Sequence, residues 1–210
     1  MKQSLSLSLL IVVLIVFPAS SKAITISFQP ETVNVIMGDS FLVDLIIEDL
    51  GDGTAPSLST FYIDILYDPT VLGVDDTDTD SDGVIDSVSI DPTGQLDIWG
   101  LGSNWLSASI TSPGKLNVYD LSFDSESDLN NNQADSFKLA TITFETVGVG
   151  GSILSIGAAI LGDAAGDPLK VDIKKGSVNV APVPEPATCL LMGVGLAGFF
   201  GVRKKSGSRR

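Results

Sequence analysis

The segment DDTDTDSDGVIDS holds six aspartates in thirteen positions. Asp78, Asp80 and Asp82 alternate along it. Gly83 then permits a sharp turn, and Asp86 stands at the ninth position counted from Asp78. Carboxylate oxygens at such short, regular spacing are the hard ligands that Ca²⁺ prefers. The spacing therefore indicates a calcium site formed by these four aspartates.

This candidate calcium site departs from the EF-hand loop that its spacing resembles. The twelfth position is Ser89, where an EF-hand has a bidentate glutamate, and the flanks VLGV and IDSVSI are not helical in pattern. A site here would be incomplete, weaker, or completed by Asp75, Asp76 or Asp91. The alternative interpretation is a solvated acidic loop that holds no ion. A calcium titration by calorimetry distinguishes the two.

The segment LDIWGLGSNWL contains both tryptophans of the sequence, Trp99 and Trp105. Exposed indole rings could stack on sugars while their N–H groups stay hydrogen-bonded. The alternative, which we favour, is that at least one ring fills the core. A fluorescence titration with oligosaccharides separates these interpretations.

Histidine is absent from the sequence, and the single cysteine, Cys189, lies near the C-terminus. These absences exclude Ser-His-Asp and Cys-His nucleophile systems and His-ligated zinc sites. A carboxylate pair for glycoside hydrolysis is not excluded, because the separation that it needs is three-dimensional. Abundant aspartate is better explained by a solvated surface. We therefore expect no enzymatic activity and no cofactor other than calcium.

The central segment, residues 24–183, is strongly acidic. It contains 25 acidic residues and five lysines, which gives a net charge of −20. Such a surface repels the phosphates of nucleic acids and the headgroups of anionic lipids, and it attracts cations. We therefore expect no nucleic-acid partner.

The N-terminal sequence MKQSLSLSLLIVVLIVFPASSKA has the layout of a secretory signal peptide. A lysine stands near its start, an apolar stretch follows, and Ser21 and Ala23 occupy the small-residue positions before a cleavage site. A membrane anchor would need about 20 apolar residues, and this stretch is shorter. We predict that residues 1–23 form a signal helix, that cleavage follows Ala23, and that the protein is exported.

The C-terminal segment has three parts: a proline–glutamate motif, an apolar run and a basic tip. The apolar run has 16 residues, fewer than the ~20 of an average transmembrane helix, but local thinning of the bilayer would let it cross. The positive-inside rule then places the basic tip in the cytoplasm. A buried core helix is the alternative, and it leaves the basic tip unexplained. The motif is Pro184, Glu185 and Pro186, the predicted transmembrane segment is 187–202, and the basic tip is 203–210, beginning with Arg203, Lys204 and Lys205.

This order of parts closely resembles the PEP-CTERM sorting signal of Gram-negative bacteria. The resemblance implies recognition by an exosortase, a membrane-embedded cysteine transpeptidase that cleaves near the motif. It also implies export by the secretion machinery, a transient stay in the inner membrane through the C-terminal helix, and a final place in the cell envelope or extracellular matrix. Proteins with this tail are associated with polysaccharide and biofilm matrices, so polysaccharide is one expected partner.

Short runs rich in Val, Ile, Phe, Thr and Tyr recur through the central segment, separated by Gly, Pro, Asp and Asn. In FLVDLIIED alternate residues from Phe41 to Ile47 are apolar, and FYIDILYDP repeats this pattern from Phe61 to Tyr67. Period-two patterning predicts strands with one buried face, as in antiparallel sheets. The chain is therefore predicted to be all-β. Further strands are predicted at 24–28, 32–36, 152–158 and 177–181.

Two more runs change phase midway. In KLNVYDLSF the apolar positions change parity between Val118 and Tyr119, and in FKLATITFE they change between Leu139 and Ala140. The extra residue of a β-bulge turns the following side chains to the other face of a sheet. We predict a bulge in each strand.

Three stretches, VNVIMGDSFLVDLIIEDL, FYIDILYDPTVLGVDD and DSFKLATITFETVGVGGSILSI, resemble the cohesin domain and its relatives among carbohydrate-binding sandwiches. The most recognisable part is YDPTVL, with Tyr67, Asp68, Pro69 and Leu72. The resemblance covers residues 24–181. It implies a jelly-roll sandwich of about nine antiparallel strands that serves as a binding or structural module.

Three functions remain open for a chain built as signal peptide (1–23), sandwich (24–181) and sorting signal (182–210). The first is a structural or adhesive protein of the cell surface or matrix. The second is a specific carbohydrate-binding module. The third is a docking module for a surface protein that carries a dockerin-like segment.

Overall fold

The computed structural model describes residues 23–184 and the single residue Met192. Within that part of the chain it confirms the all-β prediction, with twelve strands and one short helix. The predicted count of about nine strands is wrong. Three of the twelve strands have only two or three residues, and strands that short do not show a period of two in the sequence. The elements are β1 (Ile24–Gln29), β2 (Thr32–Ile36), β3 (Ser40–Glu48), β4 (Leu58–Leu66), β5 (Leu72–Gly73), β6 (Val88–Ile90), β7 (Trp105–Ser112), β8 (Lys115–Leu121), α1 (Glu126–Asn132), β9 (Phe137–Thr146), β10 (Gly150–Asp163), β11 (Val171–Ile173) and β12 (Gly176–Ala181).

The strands form two six-stranded sheets. Sheet I has the order β11-β1-β3-β9-β5, and β6 also pairs with β9. Sheet II has the order β2-β12-β10-β4-β8-β7. The long strand β10 pairs with β12 through its first part and with β4 through its second. One apolar core draws on both sheets, so the architecture is a β-sandwich.

Two strand pairings are parallel, which corrects the expectation of an entirely antiparallel sandwich. Strand β1 pairs with β11, and β2 pairs with β12. In each case a strand near the start of the sandwich meets one near its end. Parallel pairing needs a long crossover connection, and these connections contain most of the sandwich itself.

The core confirms the alternation predicted for β3 and β4. Val43, Leu45 and Ile47 of β3 are fully buried, as are Ile63 and Ile65 of β4. Burying apolar side chains contributes about 25 cal/mol per Å² removed from water. These rows therefore contribute to the apolar core that stabilises the sandwich.

The predicted bulge in β9 is confirmed. Leu45 pairs with Ala140, but the next residue, Ile46, pairs with Lys138, so Leu139 has no partner across β3. Leu139 and Ala140 are both fully buried. The extra residue lets the core face continue after the apolar pattern changes parity.

The predicted bulge in β8 is wrong. The register with β4 runs without a shift, and Leu116, Val118 and Asp120 all occupy the inward-facing row. The carboxylate of Asp120 is fully buried. Phe123, which the pattern of KLNVYDLSF places in one apolar row with Tyr119, is exposed. The sequence pattern changes phase because a charged residue holds a core position.

The corner between β4 and β5 contains the YDPTVL stretch. The ring of Tyr67 meets the ring of Phe144 edge-on, with centroids 5.4 Å apart. The Asp68 carboxylate accepts hydrogen bonds from the N–H (2.8 Å) and the hydroxyl (2.6 Å) of Thr70. Leu72 is buried in β5. These contacts give the stretch a structural role in closing the corner.

The helix α1 was not predicted, because seven residues do not show a helical period over three turns. The hydroxyl of Ser125 caps it by accepting the N–H of Asp128 at 3.2 Å. The buried amide of Gln133, at its C-terminal end, donates to the carbonyls of Leu58 and Gln95, each at 2.9 Å. The helix is thereby fixed to β4 and to the connection between β6 and β7.

The predicted signal helix at 1–23 lies outside the described residues except for Ala23, and so does the predicted transmembrane helix at 187–202 except for Met192. In the part of the chain that the structure does describe, no helix has the length and apolar character that crossing a membrane requires.

Candidate functional site

The exposed loop between β5 and β6 brings together three of the four predicted calcium ligands. One carboxylate oxygen from each of Asp78, Asp80 and Asp86 lies within 4.8 Å of the other two. Asp82 is not part of this group, and its carboxylate accepts the N–H of Val84 at 2.8 Å. The group is the only one of its kind found among the described residues.

Hydrogen bonds within the loop orient these carboxylates. Asp78 accepts the N–H groups of Ser81 (2.8 Å) and Gly83 (3.1 Å), and Gly83 has the positive φ of 91° that its predicted turn requires. Asp86 accepts both the N–H and the hydroxyl of Thr79. Carboxylates held this close repel one another unless a cation screens them. These three side chains are therefore the ones in the loop that could hold a cation.

Of the three additional ligands considered for this loop, Asp76 is exposed and outside the group of three, and Asp75 and Asp91 are engaged elsewhere. Asp75 accepts the N–H (3.0 Å) and hydroxyl (2.7 Å) of Thr77, and these hydrogen bonds hold its pKa below the usual value. Asp91 accepts the N–H groups of Gln95 and Leu96. Neither residue joins the group of three.

Both tryptophans are exposed, so the expectation that one of them fills the core is wrong. Trp99 is 60% exposed and Trp105 is 64% exposed. Trp105 opens β7, which is an edge strand of sheet II, and pairs with Leu121 of β8. Phe123, two residues beyond Leu121, is also exposed. Aromatic surface is therefore available near one edge of the sandwich.

Two carboxylates on the strands form ion pairs. Asp64 of β4 contacts the Nζ of Lys115 at 2.7 Å and accepts a hydrogen bond from the Asn117 amide at 2.9 Å. Asp44 of β3 contacts the Nζ of Lys138 at 2.7 Å and accepts the Thr141 hydroxyl at 2.6 Å. Burial alone would raise both pKa values, but these hydrogen bonds outweigh it and leave each pKa below its usual value.

A third carboxylate, Asp120, was missed by sequence reasoning. It is fully buried, and its Oδ1 accepts the Asn104 amide at 3.2 Å. Burial, together with the charges of Asp91 and Asp97, raises its pKa to about 7. The sequence did carry a signal. Asp120 continues the alternate positions of Leu116 and Val118, and alternate residues of a strand lie on the same face.

The predicted sorting residues lie at the boundary of the described chain. Pro184 is exposed and belongs to no helix or strand. Glu185 and Pro186 lie outside the described residues, as does the basic tip that begins with Arg203, Lys204 and Lys205. Ala23, the predicted signal cleavage residue, is exposed and directly precedes β1.

Comparison with protein families shows that residues 182–205 match the PEP-CTERM protein-sorting motif. This match confirms the resemblance drawn from the tail, and it indicates an exported protein of the Gram-negative cell envelope that is processed by an exosortase. No curated protein matches the chain.

Solved cohesin domains share the fold of the sandwich. The sixth cohesin of scaffoldin B from Acetivibrio cellulolyticus, solved with a dockerin, is 22% identical with a TM-score of 0.54, and the match covers 76% of this chain and all of that one. A cohesin in a type I cohesin–dockerin complex from Clostridium thermocellum is 16% identical with a TM-score of 0.56 and the same coverage. A non-cellulosomal cohesin from Archaeoglobus fulgidus is 17% identical with a TM-score of 0.54, covering 76% of this chain and 92% of that one. The chain thus combines a cohesin-like β-sandwich with a PEP-CTERM sorting motif.

Proposed function

We propose that the chain is an exported, non-enzymatic protein of the cell surface or extracellular matrix, whose sandwich serves as a structural or adhesive module. The observation that carries this proposal is the position of the sorting motif. Strand β12 ends at Ala181 and the motif begins at residue 182. Cleavage at Pro184–Pro186 would therefore free the whole sandwich from a transient stop in the inner membrane.

Processing of the full chain in its producing cell tests this proposal. Pro184→Ala combined with Glu185→Ala should leave an uncleaved chain in the inner membrane, and deleting the exosortase should have the same effect. The matched control is Asp167→Ala with Pro168→Ala, which alters an acid–proline pair within the sandwich. Unchanged processing and location in the motif variant would contradict the sorting claim.

Carbohydrate binding is a second candidate function, favoured by the exposure of both tryptophans. Flat aromatic faces bind sugar rings through apolar contact while the indole N–H stays available for hydrogen bonding. The partner in this case would be a matrix polysaccharide. A glycan array tests the idea, with Trp99→Ala and Trp105→Ala expected to abolish any signal. Tyr62→Ala, which removes a half-exposed aromatic ring elsewhere on sheet II, is the control.

Protein docking is a third candidate function, favoured by the fold. Two of the similar cohesins were solved in complexes with dockerins. A comparable partner of this chain would be a surface protein with a dockerin-like segment. A cross-linked pull-down from the producing cells should recover one such protein in stoichiometric amount, and recovery of polysaccharide alone would favour the second candidate instead.

Calcium binding by the exposed loop is proposed as a property of the sandwich, supported by the proximity of Asp78, Asp80 and Asp86. Only three carboxylates and no bidentate glutamate are available, so we expect a dissociation constant of about 10⁻⁴ to 10⁻³ M, as in extracellular modules. Calorimetry should show a weak calcium-dependent heat that is lost on Asp80→Ala with Asp82→Ala. Loss of the heat with Asp82→Ala alone would contradict the grouping.

A further inference from the structure

A second group of acidic residues lies on the connection between β6 and β7. This connection crosses from sheet I to sheet II and covers a pocket of about 210 Å³. Ile90, at the end of β6, and Leu106, in β7, line the pocket from the two sheets. Asp91, Asp97 and Asn104 of the connection line the rest, together with Gly94 and Gly102.

Asp120 lies next to this pocket, on the neighbouring strand β8. It is the register partner of Leu106 in the β7·β8 pair, and directly opposed residues place their side chains on the same face of a sheet. Its Oδ1 accepts the amide N–H of Asn104 at 3.2 Å, and Asn104 itself lines the pocket. Asp120 is not itself a lining residue, but it directly adjoins two residues that are, Leu106 and Asn104.

Two oxygen atoms of this pair have no partner. Asp120 Oδ2 and Asn104 Oδ1 are both buried and neither accepts a hydrogen bond from any described residue. Leaving such a group unpaired is destabilising, and more so for a charged one. When Asp120 is ionised both atoms are acceptors, so the group that would satisfy them is a donor or a cation. The opposite amide orientation of Asn104 would place two acceptors together at Asp120 Oδ1, which excludes it as a remedy.

The charge around these oxygens favours a cation. Asp91 and Asp97 are near enough to raise the pKa of Asp120 by their charge. Among the residues that the structure describes, the lysine ion pairs involve Asp64 and Asp44, and none reaches these three carboxylates. The pocket therefore concentrates negative charge without a protein cation to balance it.

We propose that this pocket binds a calcium ion through Asp120 Oδ2 and Asn104 Oδ1. Asp91 and Asp97 supply further negative charge at its rim. Calcium accepts a mixed, irregular set of carboxylate, amide and water oxygens. The pocket volume leaves room for waters beside the ion, since a water occupies about 30 Å³ in the liquid.

The hydrogen bonds of the connection prepare its carboxylates for this role. Asp91 accepts the N–H groups of Gln95 (2.8 Å) and Leu96 (2.7 Å). Asp97 likewise accepts the N–H groups of Leu101 (2.9 Å) and Gly102 (2.8 Å). Each carboxylate has about four lone-pair sites, so two N–H groups fix its orientation and leave capacity for a metal. The ion would hold the connection that carries Trp99 against sheet II.

Calcium binding by the full-length chain in mild detergent tests the proposal. The chain is first freed of metal with a chelator and then titrated with Ca²⁺, and affinity and melting temperature are measured together. Ligand that binds only the folded state raises the melting temperature. The titration should show two binding phases, and the tighter one belongs to the pocket. We expect Asp120→Asn to weaken this tighter binding phase at least about tenfold. Asp80→Asn, the matched control in the exposed loop, should leave that phase unchanged.

Two outcomes would overturn the proposal. The first is full calcium affinity in Asp120→Asn, or loss of all calcium binding in Asp80→Asn, which would place the only site in the exposed loop. The second is an unchanged melting temperature at millimolar calcium, which would mean that water fills the pocket.

A second measurement avoids dependence on the fold of the Asp120 variant. Terbium replaces calcium as the probe in Asp80→Asn, and excitation of the tryptophans should produce terbium emission because Trp105 adjoins Asn104. Calcium should then displace terbium and quench this emission. Absence of sensitised emission would contradict binding in the pocket.

Discussion

Asp64 and Asp120 are buried carboxylates on neighbouring strands of the same sheet, yet their environments differ. Asp64 has a lysine and an amide as donors, one to each oxygen, and its pKa lies below the usual value. Asp120 has one amide donor for two oxygens, and burial together with Asp91 and Asp97 raises its pKa to about 7. Burial acts in the same direction on both residues, so the donors decide the outcome.

The difference indicates two kinds of role. A carboxylate with all its donors in place stabilises the fold at neutral pH and needs nothing further. A buried carboxylate that lacks a donor is destabilising when ionised, unless something outside the chain compensates it. Asp64 is a carboxylate of the first kind, and Asp120 is one of the second kind.

Asp120→Asn should stabilise the metal-free chain at pH 8 by about 3 kcal/mol, because it removes a buried charge whose pKa is far above its unfolded value. Urea unfolding in excess chelator measures the change. The exposed Asp76→Asn is the matched control, and equal stability of the two variants would contradict a buried, unpaired Asp120.

Asp64→Ala should destabilise the chain by about 2 kcal/mol, because it leaves a charged and an amide donor without their acceptor. The same urea experiment at pH 7 measures it. Asp64→Asn keeps an acceptor oxygen for Asn117 and should recover part of the loss. A neutral effect of Asp64→Ala would remove the contrast with Asp120.

The pH dependence of stability should have opposite signs at the two sites. In the metal-free chain the folded state retains the proton of Asp120 between pH 3.8 and about 7 while the unfolded state has lost it, so stability falls as pH rises. The slope attributable to this group is at most about 1.4 kcal/mol per pH unit. Subtracting the Asp120→Asn curve from that of the unmodified chain isolates it.

The contribution of Asp64 follows the opposite rule. Its folded pKa is lowered, so its stabilisation is present above pH 3.8 and is lost as pH falls through the folded pKa. The difference curve for Asp64→Asn should therefore change only on the acid side. A change near pH 7 in that curve would contradict the lowered pKa of Asp64.

Asp44→Asn should have the smallest effect, a loss of about 0.5 kcal/mol. Its ion pair resembles that of Asp64, but the side chains of Asp44 and Lys138 are 22% and 42% exposed. Water therefore screens the pair. Salt should reduce the loss further, whereas the effect of Asp64→Ala should change less between low and high ionic strength.

The sequence predicted the parts of the fold that depend on apolar periodicity. The alternation in β3 and β4 and the bulge in β9 were read from the residues alone, because one buried face imposes a period of two. The error in β8 has the same origin. The predicted inward face of β8 rested on the assumption that aspartate faces water, but Asp120 faces the core.

The two acidic sites were not equally visible in the sequence. Asp78, Asp80 and Asp86 lie within nine consecutive positions, so their proximity is local and their spacing could indicate it. Asn104 and Asp120 are 16 residues apart and meet only through the register of β7 with β8. Pairing between strands is not encoded in local spacing. Exposure of Trp99 and Trp105 was likewise decided by their places in a connection and on an edge strand.

The distance between β12 and the sorting motif limits how a processing enzyme can reach its substrate. The carbonyl of Ala181 still accepts a backbone hydrogen bond from Met37 at 2.9 Å, and Glu185 follows only four residues later. Four extended residues span about 14 Å. An enzyme that cuts there has little clearance from a folded sheet. Its groove must either be shallow on that side or receive the chain before the last strand has docked.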